Sequence, residues 1–83
     1  MKILAEVSFV DAKIIQRLNL KYRHLNQPTD VLSFPLEERE PGPDGIWRLG
    51  DIVICREQAA KKGHTVAGLI KHAMLHLLGK HHR

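Results

Sequence analysis

Imidazoles crowd one end of this sequence. Five of the six histidines fall between His64 and His82, and His72, His76 and His82 follow the spacing H-x3-H-x5-H. Residues four apart on an α-helix lie one turn apart on the same face, so His72 and His76 can converge on one ion. Zn²⁺ accepts imidazole nitrogens at roughly 2.0–2.1 Å in a tetrahedral shell. A third ligand cannot come from that face without running past the ion, so the chain has to turn back. Gly79 permits the turn, because glycine takes left-handed backbone without steric cost. The residues after it then bring His82 to the metal. Three neutral imidazoles leave the fourth position to water, the arrangement of a catalytic rather than a structural zinc site, and zinc brings the pKa of such a water to about 7. Plainer readings exist: a solvated tail or a cloning remnant for "HHR", and a chance pairing for H-x3-H. His64 and His81 read as surface histidines, although His81 stands one residue from His82 and competes with it. Ala73 occupies the place of the general-base glutamate in an H-E-x-x-H peptidase helix, which disfavours peptide hydrolysis.

The elements that must hold these residues follow from periodicity and turn chemistry. Lys2 to Val10 alternates through Ile3, Ala5, Val7 and Phe9 and predicts a strand. Asp11 is a good N-cap for "AKIIQRLNLKYR", whose Ile14, Ile15, Leu18 and Tyr22 form a helical stripe. "HLNQP" ends that helix, since the residue before Pro28 disfavours the α region. "TDVLSFP" and "IWRLGDIVIC" predict two strands joined by the acidic, Pro- and Gly-rich "EEREPGPDG", short enough for an antiparallel hairpin. Gly50 marks a bulge or a close backbone approach. Arg56 to Lys62 reads as a short helix ended by Gly63. Thr65 caps the final helix, "VAGLIKHAMLHLL", with Gly79 as its left-handed terminator. Val66, Leu69, Ile70, Ala73, Met74 and Leu77 give that helix a broad apolar face for the sheet. The order is β-α-β-β-α-α, an α+β fold with a small mixed β-sheet and helices packed on it.

Eighty-three residues allow one domain, 1–83, with a thin core. The composition is globular, 43% hydrophobic and 27% charged. One cysteine, Cys55, rules out an internal disulfide and fits a reducing cytosol. No apolar run approaches membrane-spanning length and no signal peptide is read, so the expected location is the cytoplasm, with no membrane partner. The formal net charge of +4 favours a polyanionic partner, although solubility alone also accounts for it.

The set N-x2-YR-x4-PTDVLSFP, then LGDIVI, then H-x3-HLLG-x2-H closely resembles the YbeY family of rRNA-maturation endoribonucleases, from about Ile3 to His82. The resemblance implies a zincin-like, zinc-dependent, cytoplasmic metallohydrolase of bacteria that cuts single-stranded RNA. It also implies a part in maturing the 3′ end of the small-subunit rRNA and in ribosome quality control. It makes His72, His76 and His82 the ligands of one Zn²⁺ and Arg23 the functionally important arginine. A guanidinium can bind a phosphate bidentately and stabilise charge developing on it. By itself, Arg23 reads as a cation favoured by the helix macrodipole. The chain departs from the family's "HGxLHLLGYDH" at Ala73, Lys80 and His81, the last where the family has a carboxylate. Relative to the family, an N-terminal strand and helix and a segment after the third histidine have no counterpart here. The run between "GHT" and His72 is shorter by roughly one helical turn.

Weaker expectations complete the reading. Asp30 and Asp51 hold loops by hydrogen bonds or orient a ligand histidine, and Asn19 bonds backbone near its helix end. Cys55 packs as a small apolar residue. Trp47 packs rather than stacks on a base. Lys61, Lys62, Lys71, Lys80 and Arg83 form a solvated helix face or a phosphate-tracking rim. The leading function is therefore a zinc-dependent single-strand endoribonuclease acting with the small ribosomal subunit. A non-catalytic, zinc-stabilised RNA- or ribosome-binding module and a zinc hydrolase of another ester are the alternatives.

Overall fold

The computed structural model describes residues 2–36 and 40–81, with backbone alone for residues 80 and 81. Its elements run β1 (Lys2–Phe9), α1 (Ala12–Arg23), β2 (Val31–Pro35), β3 (Ile46–Ile54), α2 (Arg56–Lys61) and α3 (Val66–His81). This is the order expected, an α+β fold on a three-stranded mixed sheet. The strand order is β1-β3-β2, with β1 parallel and β2 antiparallel to β3.

The sheet is packed on both faces, and strand alternation sorts its side chains between them. Leu32 and Val53 join Cys55 and Ile15 of α1 in one buried cluster. Ile52 and Ile54 join Leu69, Ala73 and Leu77 of α3 in the other. Leu49 and Trp47 lie in that same cluster although their parity along β3 is opposite. The break falls at Gly50, where β1 passes from pairing Leu4 with Arg48 to pairing Ala5 with Gly50, leaving Leu49 as the extra residue of a bulge. Gly50 has φ +151, and a Cβ there would collide with the main-chain oxygen of Phe34. Both readings of this glycine, bulge and close approach, are therefore realised. The outer strand β1 keeps Ile3, Val7 and Phe9 exposed, and the Arg56 guanidinium lies 4.0 Å from the centre of the Phe9 ring.

Local capping matches the residue chemistry. Asp11 accepts a hydrogen bond from Ile14 N–H at 2.9 Å, and Thr65 Oγ1 accepts from Gly68 N–H at 3.0 Å. His24, at φ 59, ends α1 in the left-handed conformation, its N–H donating to the carbonyls of Asn19 and Leu20. Asn19 is buried and donates its side-chain amide to the carbonyl of Gln27 at 2.9 Å, tying the helix end to the segment before β2. Along the expected α1 stripe, Ile15 is buried, whereas Ile14 and Tyr22 are exposed.

One expectation is overturned. Gly79 does not end the last helix, which continues through it to His81, and Gly79 is not among the positive-φ glycines. Glycine permits the left-handed turn but does not impose it. Among the described residues nothing lies within 4 Å of the position its Cβ would take, so none of them captures a reversal there. No helix among the described residues is long and apolar enough to cross a membrane.

Candidate functional site

Three elements meet around the free edge of β2. The last turn of α1 brings Tyr22 and Arg23 to one side of it, and α3 brings His72 and His76 to the other. All four line a single cavity of about 730 Å³, together with residues 29–35 and Ala73 and Leu77. Arg23 and the two histidines are far apart in sequence, and only the packing of α1 and α3 on opposite faces of a narrow sheet joins them.

His72 and His76 project from α3 one turn apart. Their ring centroids are 4.6 Å apart and the planes tilt by 47°. Both side chains are exposed, while Ala73 and Leu77, each one residue further on, are buried in the core beneath them. The helix thus anchors itself with the residues adjacent to the histidines and leaves the imidazoles to the cavity. Two adjacent imidazoles presented this way suit a borderline-soft divalent cation such as Zn²⁺. No group of three His, Cys, Asp or Glu side chains that could hold a metal occurs among the described residues. His82, the expected third ligand, lies outside the described residues, as do Arg83 and the side chains of Lys80 and His81.

The main chain of β2 contributes as well. Cys55 N–H donates to the carbonyl of Asp30, and Leu36 N–H to that of Leu49, both at 2.9 Å. In an antiparallel ladder, hydrogen-bonded and non-hydrogen-bonded pairs alternate. With Val31 opposite Ile54 and Pro35 opposite Gly50, Leu32 and Phe34 direct their peptide groups at β3. Val31 and Ser33 direct theirs away from it, along the cavity. Pro35, which has no N–H, falls in the outward set, where its missing donor breaks no ladder bond.

At the entrance to β2, Asp30 is buried but well partnered. Being ionised, its carboxylate only accepts, so His64 Nδ1 carries the proton of their 2.7 Å hydrogen bond. Lys62 Nζ stands 3.6 Å away and Thr29 Oγ1 donates at 3.4 Å. Burial pushes the Asp30 carboxyl upward. The His64 hydrogen bond, the Lys62 charge and smaller contributions from the Asp30 main chain and the His64 ring together outweigh it and hold the carboxyl below the ordinary aspartate value. Asp30 therefore follows the first of its two expected roles, holding a loop, and His64, exposed at the surface as expected, is its partner. Asp51 is exposed on β3, Cys55 is buried, and Trp47 packs against the α3-side core. Lys61 pairs with Glu57 at 3.5 Å, and neither it nor Lys62 nor Lys71 lines the cavity; among the described residues the cation that does is Arg23.

Sequence reasoning missed Tyr22. It continues the apolar stripe of α1, yet it is 54% exposed at the cavity, its ring set edge-to-face against Phe34 at 4.9 Å between centroids. Its position in the last turn, past the buried Ile15 and Asn19, was the available signal.

A family model described as Endoribonuclease YbeY matches residues 1–83. The chain belongs to the YbeY family. Proteins named Endoribonuclease YbeY from Thermoanaerobacter sp. and Mycolicibacterium smegmatis are 45% and 46% identical to it, over 92% and 94% of this chain and 59% and 53% of their own. A third, from Corynebacterium diphtheriae, is 41% identical over 94% of this chain and 47% of its own. The chain thus spans about half the length of the curated YbeY relatives it matches. The matched stretches run to 93 or 94 positions against 83 residues here, so YbeY relatives also carry residues inside the matched region that this chain lacks.

Proposed function

We propose that this YbeY-family chain is a zinc-dependent endoribonuclease for single-stranded RNA. Its role in the cytoplasm is maturation of the 3′ end of small-subunit rRNA and ribosome quality control. The observation that carries the reading is the convergence of Arg23 with His72 and His76 on one cavity at the open edge of β2. The relatives are named endoribonucleases, which supports RNA as the substrate.

His72 and His76 would hold the ion, and His82 would join them as the third ligand only if the helix, continuous through Gly79 to His81, unwound at Gly79 when the metal bound. What zinc supplies when bound is Lewis acidity toward a phosphoryl oxygen and a lowered pKa for a neighbouring water. The chain's own residues do the rest. Arg23 grips the scissile phosphate through its planar fork of donors and stabilises the charge that builds on it. The outward N–H groups of Val31 and Ser33 donate to the backbone or base edges of an extended strand, and their carbonyls accept from its 2′-hydroxyls. Ala73, 3% exposed, replaces the helix glutamate of metallopeptidases, so α3 offers no carboxylate base at that position. RNA brings its own nucleophile in the 2′-hydroxyl, which removes the need for an external one. A 2′,3′-cyclic phosphate product would identify that route, and a 5′-phosphate with a free 3′-hydroxyl would identify water.

The test is zinc content and cleavage of single-stranded RNA by the parent, His76→Ala and Arg23→Ala proteins. Loss of zinc and cleavage in the first, and of cleavage alone in the second, is the expected result. Cleavage that survives His76→Ala overturns the proposal. Salt-dependent RNA binding with no cleavage by the parent would replace it with the non-catalytic RNA-binding module.

A further inference from the structure

Tyr22 is an exposed aromatic residue with no packing need that explains its exposure. Ile15 and Leu18 earlier in α1 reach the sheet, Ile15 fully buried and Leu18 packed against its cluster. Tyr22, one turn beyond Leu18, reaches past the sheet to the cavity wall, where 54% of it stays accessible. The ring is nonetheless fixed. Phe34 braces it in a T-shaped contact at 4.9 Å and 66°, within the favoured range for aromatic pairs. The Lys21 ammonium lies over the ring, 5.3 Å from its centroid, a flexible cation that a stacking base would displace toward its own phosphate. Its chain neighbour is Arg23, which lines the same cavity.

A braced, half-exposed aromatic beside a phosphate-binding cation matches what single-stranded nucleic acid needs. Each nucleotide offers a flat base and, a few ångströms away, a charged phosphate. Stacking tolerates any base, because every base has a π-face, whereas hydrogen-bond readout does not. A tyrosine side chain loses little conformational freedom in such a role, since only two torsions must be fixed.

We infer that Tyr22 is a base-stacking residue that, with Arg23 on the phosphate, sets the register of a single RNA strand across the edge of β2 toward His72 and His76. This inference rests on the RNA reading of the site proposed above. It adds that affinity is tolerant of base identity but dependent on a base being present at one position.

The experiment uses single-stranded RNA oligonucleotides in which 2-aminopurine, or an abasic nucleotide, is walked along the strand. Binding is measured on the zinc-loaded protein by stopped-flow fluorescence, before cleavage sets in. With the parent protein, 2-aminopurine fluorescence is quenched at one position and an abasic nucleotide there weakens binding. Tyr22→Phe keeps both effects. Tyr22→Leu, folded as judged by circular dichroism, loses the quenching and binds intact RNA roughly 5- to 150-fold more weakly. It loses nothing further when the abasic nucleotide is introduced, because the same contact cannot be removed twice. Quenching that persists in Tyr22→Leu, or protein and RNA changes whose effects multiply, would overturn the stacking role while leaving the RNA reading intact. Absence of any RNA binding by the parent would overturn both.

Discussion

His64 Nδ1 and Asp30 Oδ2 lie 2.7 Å apart across thirty-four residues of chain. The contact fastens the loop before α3 to the entrance of β2, and so fixes α3, with its two histidines, against the strand that edges the cavity. The carboxylate is 8% exposed and the imidazole 53%, so a buried carboxylate is held by a hydrogen-bond partner that still sees water.

That pair gives the fold an acid-labile tie. The Asp30 carboxyl titrates below its unfolded value, so its stabilisation is fully present above about pH 4, the unfolded aspartate value, and fades as pH falls through the lower folded value. Asp30→Asn should destabilise the protein by about 1.5–3 kcal/mol at pH 7, the range for a hydrogen bond to a charged group. The gap between parent and variant should narrow as pH is lowered past 4. Urea unfolding across a pH series measures both. A constant gap down to pH 2 would show that the carboxylate charge is not what matters.

The two imidazoles should act as one metal site. Dialysis against a chelator should abolish RNA cleavage, and added zinc should restore it. His72→Ala and His76→Ala should each lose bound zinc by elemental analysis, with little change in secondary structure, because both side chains are exposed. Zinc retained at parental levels in both variants would remove α3 from the metal site.

Arg23 should matter through geometry as well as charge. A point charge on a flexible stem cannot reproduce a bidentate fork. Arg23→Ala should lower the cleavage rate by about 10²–10³-fold, the loss typical of one preorganised charge-stabilising donor. Arg23→Lys should recover only part of that, with zinc content unchanged in both. Full activity in Arg23→Lys would reduce the residue to a general cation.

Gly50 and Gly79 should respond in opposite directions to alanine. At Gly50 a Cβ would strike the Phe34 carbonyl in a backbone conformation that L-residues rarely adopt, and Gly50→Ala should cost about 2–4 kcal/mol or prevent folding. At Gly79 the helix is continuous and the Cβ position is open, so Gly79→Ala should stabilise the metal-free protein by about 0.8–1 kcal/mol. For a chain of this size that is roughly 4–8 °C in melting temperature. A destabilised Gly79→Ala protein would instead restore the left-handed turn expected from sequence.

The boundaries of α1, the hairpin of β2 with β3, and the caps at Asp11 and Thr65 were all legible, because each rests on neighbours in the chain. The same holds for the apolar face of α3, where Leu69, Ala73 and Leu77 are buried as their spacing requires. The reversal at Gly79 was not legible, since a glycine removes a barrier without supplying the contact that chooses one side of it. Tyr22 was misplaced for a related reason: helical spacing assigns a face, and only the width of the sheet decides whether a residue on that face meets a core or an edge.

Local chemistry, then, determined which residues could form helices and strands, which two imidazoles share a helical face, and which motifs mark the family. Tertiary packing alone decided that Arg23 and Tyr22 stand across one strand from His72 and His76, and that Asp30 finds His64. It also decided that β2 turns the peptide groups of Val31 and Ser33 outward. These are distances between residues remote in sequence, set by which faces two helices cover on a three-stranded sheet, and periodicity carries no information about them.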